Sequence, residues 1–284
     1  ASVGGLSSTK KGYGPTMPGA IRTPYPYCYR CPFKLQPRTC DFLCLDFLNE
    51  IVRANSTGSL AGVLVEPYMG SAGFIFPPDG WLKRLETWIR EHDMLFTLDE
   101  VQASYGRTGK MWAMEWENLQ PDLLCIGKGI GSGIPVSCLA ARSEVIGVLG
   151  VGEMSSTAGG NPVSSAAVLA VIDIMKSENL VENSLRIGTI MKKRLEEIQE
   201  KSRILGDVRG KGLVMGLELV KDKKTKEPAP DLTRQIIHRC AENGLLVGSV
   251  GIFGNVIRVA PPLIITESEA AESLEIMEKV LVSF

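Results

Sequence analysis

Three short apolar runs, each closed by a charged residue, constrain this chain most: LAGVLVEP (60–67), MLFTLDE (94–100) and PDLLCIGKG (121–129). Runs this short, bounded by Pro and Gly, read as buried strands. Between the first two, PDGWLKRLETWIREHDM spaces Trp81, Leu82, Leu85, Trp88 and Ile89 as one face of a helix, with Asp79 as its expected cap. Strand, helix and strand in alternation predict a mainly parallel α/β sheet, repeated through the third run, with VSCLAAR as a further strand. In such sheets ligands gather at the carboxyl ends of the strands. Glu66, Asp99 and Lys128 all fall there. Each alone reads as a solvated strand end, but three on one rim point to a site.

Beyond the sheet, NPVSSAAVLAVIDIMKSENL predicts a helix capped by Asn161 with Pro in its first turn. A second helix carries Ile187, Ile190, Met191, Leu195 and Ile198 on to about Lys201. The pattern then changes to GLVMGLELV, a helix over DLTRQIIHRCAENG, two short strands around LLVGS and NVIRVA, and a last helix started by a Thr266–Glu269 capping box. This divides the chain into a large domain over 1–183, ending in an interdomain helix, and a small C-terminal α/β domain over 184–284.

With 31 basic against 32 acidic residues and no basic run longer than KDKKTK, nothing suggests a grip on nucleic acid or membrane. No apolar run spans a bilayer and no signal peptide is visible, so the expectation is a soluble, cytoplasmic protein with small-molecule partners. Seven cysteines fit reduced thiols. Four of them, Cys28, Cys31, Cys40 and Cys44, form a CxxC followed by CxxxC, a spacing able to hold zinc. With His92 and His238 the sole histidines, histidine-rich metal sites are excluded, and His92 reads as a helix-end residue.

Lys128 stands among glycines in DLLCIGKGIGSGIPVS. A phosphate loop needs Ser or Thr after the lysine and a glycine five residues before Gly127, where this chain has Gly129 and Asp122. The alternative is a Schiff-base lysine whose amine is activated in a tight, partly desolvated turn. A pyridoxal-type cofactor needs a carboxylate opposite its ring nitrogen. Asp99 on the neighbouring strand end suits that role, with Val101 to pack on the ring and Gln102 to reach its phenolic oxygen.

The run LDEVQASYGRTGKMWAMEWENLQPDLLCIGKGIGSGIPVSCLAA resembles the core of the class III aminotransferases, fold type I enzymes dependent on pyridoxal 5'-phosphate. VEPYMGSAGFIFPP, STAGGNPVSSAA, DVRGKGLVMGLEL and IRVAPPLIIT resemble further motifs in the family's order. The resemblance implies that Lys128 holds the cofactor and shuttles protons, that Asp99 faces the ring nitrogen, and that Val101 and Gln102 contact the ring. It implies that Thr157 reaches the cofactor phosphate of a second subunit, hence a homodimer or dimer of dimers. Arg258 would bind a substrate carboxylate, with Glu66 pairing to it and releasing it. Arg209 reads as structural.

The resemblance also implies an N-terminal part, with a phosphate-binding loop and a ring-stacking aromatic, that would precede ASVGGLSSTKKGYGPTMPG. The implied activity is transfer of an amino group from an amino acid or ω-amino acid, 4-aminobutyrate-like, to a 2-keto acid such as 2-oxoglutarate. The alternatives are an amino-acid racemase or 2-epimerase on the same residues, and a non-catalytic fragment or partner of a full-length homologue.

Overall fold

The computed structural model describes residues 2–37 and 39–284. Its first helix, α1 (Leu43–Asn55), rises out of the cysteine-rich segment and turns Leu45 and Leu48 inward. Then come β1 (Gly62–Val65), α2 (Trp81–Glu91), β2 (Leu95–Asp99), β3 (Leu123–Ile126) and β4 (Cys138–Ala141). They form one sheet in the order β1-β2-β3-β4. The first three strands are parallel and β4 runs antiparallel to β3. The expected mainly parallel sheet is therefore present.

The start of α2 differs from expectation. Asp79 does not cap it; the chain enters through Gly80 at φ 85°, and the Glu117 carboxylate accepts the Gly80 and Lys83 N–H groups at 3.2 and 2.9 Å. Asp79 instead pairs with Lys211 at 3.1 Å. A carboxylate from a distant turn thus satisfies the orphan donors that a local cap serves in other helices. Trp81, Leu82, Leu85, Trp88 and Ile89 are buried as the spacing predicts. Each such side chain contributes roughly 1.5–3 kcal/mol of apolar burial. His92 ends the helix, Nδ1 lying 2.8 Å from the Trp88 carbonyl and the ring stacked on Trp88.

The β2–β3 connection also departs from a repeated helical plan. It is a run of turns and a short 3₁₀ helix, Ala113–Trp116. The buried Glu100 holds it down, accepting the Ala113 and Met114 N–H groups at 2.9 and 2.7 Å. Asp122, 2% exposed, ties three elements together: it accepts the Phe96 N–H and pairs with Arg90 and Arg142.

After β4 come α3 (Ser143–Ile146), α4 (Pro162–Ser177) and α5 (Leu180–Lys201). Asn161 caps α4, its side chain accepting the Ser164 N–H at 2.9 Å. Leu180 packs in the core beneath the first sheet, whereas Ile187, Met191, Leu195 and Ile198 pack in a second core and Ile190, expected on the same face, is exposed. That second core lies against β5 (Leu205–Lys211), β6 (Val214–Leu219), α6 (Pro230–Glu242), β7 (Gly248–Val250), β8 (Val256–Val259) and α7 (Glu267–Val282). The strands are antiparallel in the order β5-β6-β8-β7.

Strand β6 is buried on both faces. Met215, Leu217 and Leu219 point into the helix-covered core. Period-two alternation sends Val214, Gly216 and Glu218 the other way. There the Glu218 carboxylate, 0% exposed, receives Arg30, Arg209 and Tyr27. Burial alone would raise this carboxyl, but Arg209, Tyr27 and Arg30 outweigh it and hold it below the usual range. Arg209 also donates to the Gly73 and Phe74 carbonyls, which bears out its structural reading.

The zinc expectation is corrected here. Cys28 belongs to a 3₁₀ turn ending at Arg30, Cys31 follows it, and Cys44 sits on α1. Among the described residues no three Cys, His, Asp or Glu side chains form a group able to hold a metal. The turn is anchored instead through Tyr27 and Arg30 to Glu218, and burial first of all, with Cys44, Cys40 and Cys31 adding to it, pushes the Cys28 thiol up to about 11. No helix is long and apolar enough to cross a membrane.

Candidate active site

Lys128 opens a 3₁₀ turn directly after β3, with φ 47°. A lysine in the left-handed region costs on the order of 1–3 kcal/mol, a strain that clusters at functional sites. The flanking glycines answer to close packing. A Cβ on Gly127 would lie 3.2 Å from Val101 Cγ1, and one on Gly129 would lie 3.1 Å from Tyr105 Cβ. The turn can therefore lie directly on the residues that follow β2. Lys128 is exposed, so the expected partial desolvation is not supplied by its neighbours in this chain.

Asp99 ends β2, and the register sets it opposite Cys125, three residues before Lys128. One carboxylate oxygen accepts the Val101 N–H at 3.0 Å, and the other has no hydrogen-bond partner among the described residues. Glu66, just past β1, accepts the Gly70 N–H at 2.9 Å. Burial raises its carboxyl; the Gly70 N–H opposes this, Asp99 adds to the rise and Lys128 counters it. The three rim residues are thus within electrostatic reach of one another.

Gln102 lies over Gly70 so closely that a Cβ there would fall 1.9 Å from Oε1. Its amide makes no side-chain hydrogen bond within the described residues, and Oε1 is buried without a partner. Buried amides are nearly always satisfied, so an orphan at a strand rim marks a place for a ligand atom.

Val101, Gln102, Lys128 and Arg258 line one cavity of about 510 Å³, closed by Met175 and Leu263. Arg258, on β8, extends its guanidinium over Phe74 at 6.0 Å from the ring centre. No carboxylate pairs with it among the described residues, and in particular Glu66 does not: the Gly70 N–H holds Glu66 in the turn after β1. Thr157 lies exposed between α3 and α4, away from the residues lining this cavity. Arg107 lines the cavity too and was missed; a lone arginine inside the glycine turn YGRTG was its available signal. A second cavity, about 340 Å³, is walled by apolar residues of β1, α1 and α2 and by segment 19–25, with Arg22 its one charged lining residue.

The site thus sets a lysine, an aspartate and an unsatisfied glutamine at one rim of a fold type I architecture. The chain belongs to the class-III aminotransferase family, which matches residues 1–281. Pyridoxal phosphate is the cofactor of that family. The chain is 39% identical over 283 residues to an alanine/serine racemase of Pyrococcus horikoshii, covering 96% of this chain and 58% of that protein. It is 36% identical to a 4-aminobutyrate aminotransferase of Mycobacterium leprae, covering 97% and 62%. An amine transaminase structure from an uncultivated Pseudomonas species, in its PLP-bound form, superposes with TM-score 0.92 at 30% identity, covering 99% of this chain and 66% of that one. The chain thus spans roughly three fifths of the curated relatives it matches.

Proposed function

We propose that this chain acts as a pyridoxal-phosphate-dependent aminotransferase, moving an amino group from an amino acid or an ω-amino acid such as 4-aminobutyrate to a 2-keto acid such as 2-oxoglutarate. The observation that carries the reading is the single cavity joining Lys128 to the unsatisfied Gln102 amide and the unpaired Arg258, with Asp99 two residues before Val101 of its wall. The residues fit the cofactor: the free Asp99 oxygen suits a protonated ring nitrogen, the Gln102 Nε2 donor a phenolic oxygen, and Val101 a ring face. When bound, the cofactor supplies a conjugated ring that absorbs the electrons of a broken C–H bond.

Lys128 would hold the cofactor through Nζ, and its amine is placed to take and return a substrate proton as general base and acid. Asp99, fixed by the Val101 N–H, would face the cofactor's ring nitrogen with its free oxygen. Arg258 binds the substrate carboxylate. Glu66, within reach of Lys128, adjusts the charge around the amine and is close enough to the rim to engage substrate. Thr157 is exposed, as reaching the phosphate in a second copy requires, and the active unit in this reading is a homodimer. Seven free thiols accord with work in the cytoplasm.

A second reading, racemisation of an amino acid, is favoured by the 39% identity to an alanine/serine racemase. Incubation with L-alanine or 4-aminobutyrate, with and without 2-oxoglutarate, separates the two. Aminotransfer yields glutamate and needs the acceptor; D-alanine formed without any keto acid would replace it by racemisation.

A further inference from the structure

The cavity around Lys128 carries three cationic side chains, Lys128, Arg107 and Arg258, and no acid lines it. The two guanidinium groups oppose each other: burial lowers Arg107, Tyr68 counters this, and the charge of Arg258 lowers it further. Among the described residues no carboxylate pairs with either arginine. Held cations of like sign without a counter-charge are costly, and a ligand anion relieves that cost.

Arg107 is held rigidly. Its Nη1 donates to the Leu213 carbonyl at 2.9 Å and to the Pro261 carbonyl at 2.6 Å. Its own carbonyl accepts the Leu213 N–H at 3.0 Å. This clamp occupies one nitrogen of the guanidinium. Nε and Nη2, which form the side-on fork that matches a carboxylate, have no partner among the described residues and are not sealed from solvent. The clamp therefore orients a donor edge that it does not use.

Resting on the aminotransferase reading, we propose that Arg107 is a second anion-binding residue of this cavity, its Nε–Nη2 edge acting with Arg258 on the carboxylate end of the substrate. The class of ligand selected is an acyclic carboxylic acid, its carboxylate shared between the two guanidinium groups. The bland reading, in which Arg107 only staples the Pro261 segment to the rim, leaves the free edge without a role.

The test is calorimetric binding of glutarate, which cannot react, and of neutral glutaramide to the full chain and to Arg107→Gln, Arg107→Lys and Arg258→Gln, beside thermal melts. Loss of charge-assisted bonds predicts glutarate affinity falling about tenfold or more in Arg107→Gln. Arg107→Lys should fall between, keeping the charge and losing the fork. Glutaramide affinity should not move. Three outcomes overturn the proposal: glutarate fails to bind the parent, both Arg107 variants bind it as the parent does, or glutarate and glutaramide weaken together as a collapsed cavity requires. Glutarate binding needs neither cofactor nor turnover. An Arg107-dependent anion site in a protein that transaminates nothing would leave this inference standing and remove the functional reading.

Discussion

Glu218→Ala should destabilise the C-terminal half of the protein severely. The carboxylate is 0% exposed and its partners Arg30 and Arg209 are 15% and 10% exposed, so its removal leaves two guanidinium groups facing each other out of water. Breaking a buried pair costs about 3–5 kcal/mol. Arg209 keeps Asp207 at 2.6 Å and the Gly73 carbonyl, and Arg30 keeps the Lys226 carbonyl, which places the loss near the lower end, about 3 kcal/mol. With a urea m-value of about 3 kcal/mol/M, the midpoint should fall by about 1 M. Urea unfolding followed by far-UV circular dichroism reads this directly. Removing the exposed Lys221–Glu227 pair serves as the control and should leave the midpoint where it was. A Glu218→Ala midpoint within experimental error of the parent would refute the desolvated network that anchors the Tyr27–Arg30 turn to β6.

Three further perturbations address the rim. Gly70→Ala puts a methyl 1.9 Å from Gln102 Oε1 and 3.3 Å from Glu66 Oε2. Since flexible side-chain ends can swing away, stability should hardly change while pyridoxal phosphate affinity, read by quenching of tryptophan fluorescence, falls roughly 2–10-fold through one lost hydrogen bond. Burial lifts the Glu100 carboxyl from 4.5 to about 7, so between those pH values the folded state keeps a proton that the unfolded chain has shed. Stability should therefore drop by about 3 kcal/mol as pH rises through that window, and Glu100→Gln should flatten the slope in denaturation at pH 5 and pH 8. Arg258→Gln should raise KM for carboxylate-bearing donors by about tenfold or more and spare simple amines, as expected for the loss of a charged hydrogen-bond partner; equal losses for both would remove it from the carboxylate subsite.

The rim was legible because its logic is local. Strand ends fix where Glu66, Asp99 and Lys128 emerge, and period and spacing alone gave β1, β2 and β3. What escaped depends on segments far apart in sequence. The cap of α2 comes from Glu117, which no reading of Asp79-Gly80-Trp81 could locate. Arg107 owes its orientation to carbonyls of Leu213 and Pro261, more than a hundred residues downstream. The cysteine spacing suggested a metal because spacing carries no burial, whereas the fold spends the same turn on a tyrosine and an arginine bound to Glu218. Among the described residues Glu66 does not pair with Arg258; its Oε2 accepts the Gly70 N–H.

The most direct measurement of the central claim is the visible absorbance of the purified protein with added pyridoxal phosphate, before and after borohydride, beside Lys128→Ala. The parent should show a visible band that borohydride abolishes, leaving the cofactor covalently fixed to the peptide bearing Lys128, and the variant should show neither. No band in the parent, or a band and a covalent label that persist in Lys128→Ala, would contradict the assignment of Lys128 as the cofactor-holding residue.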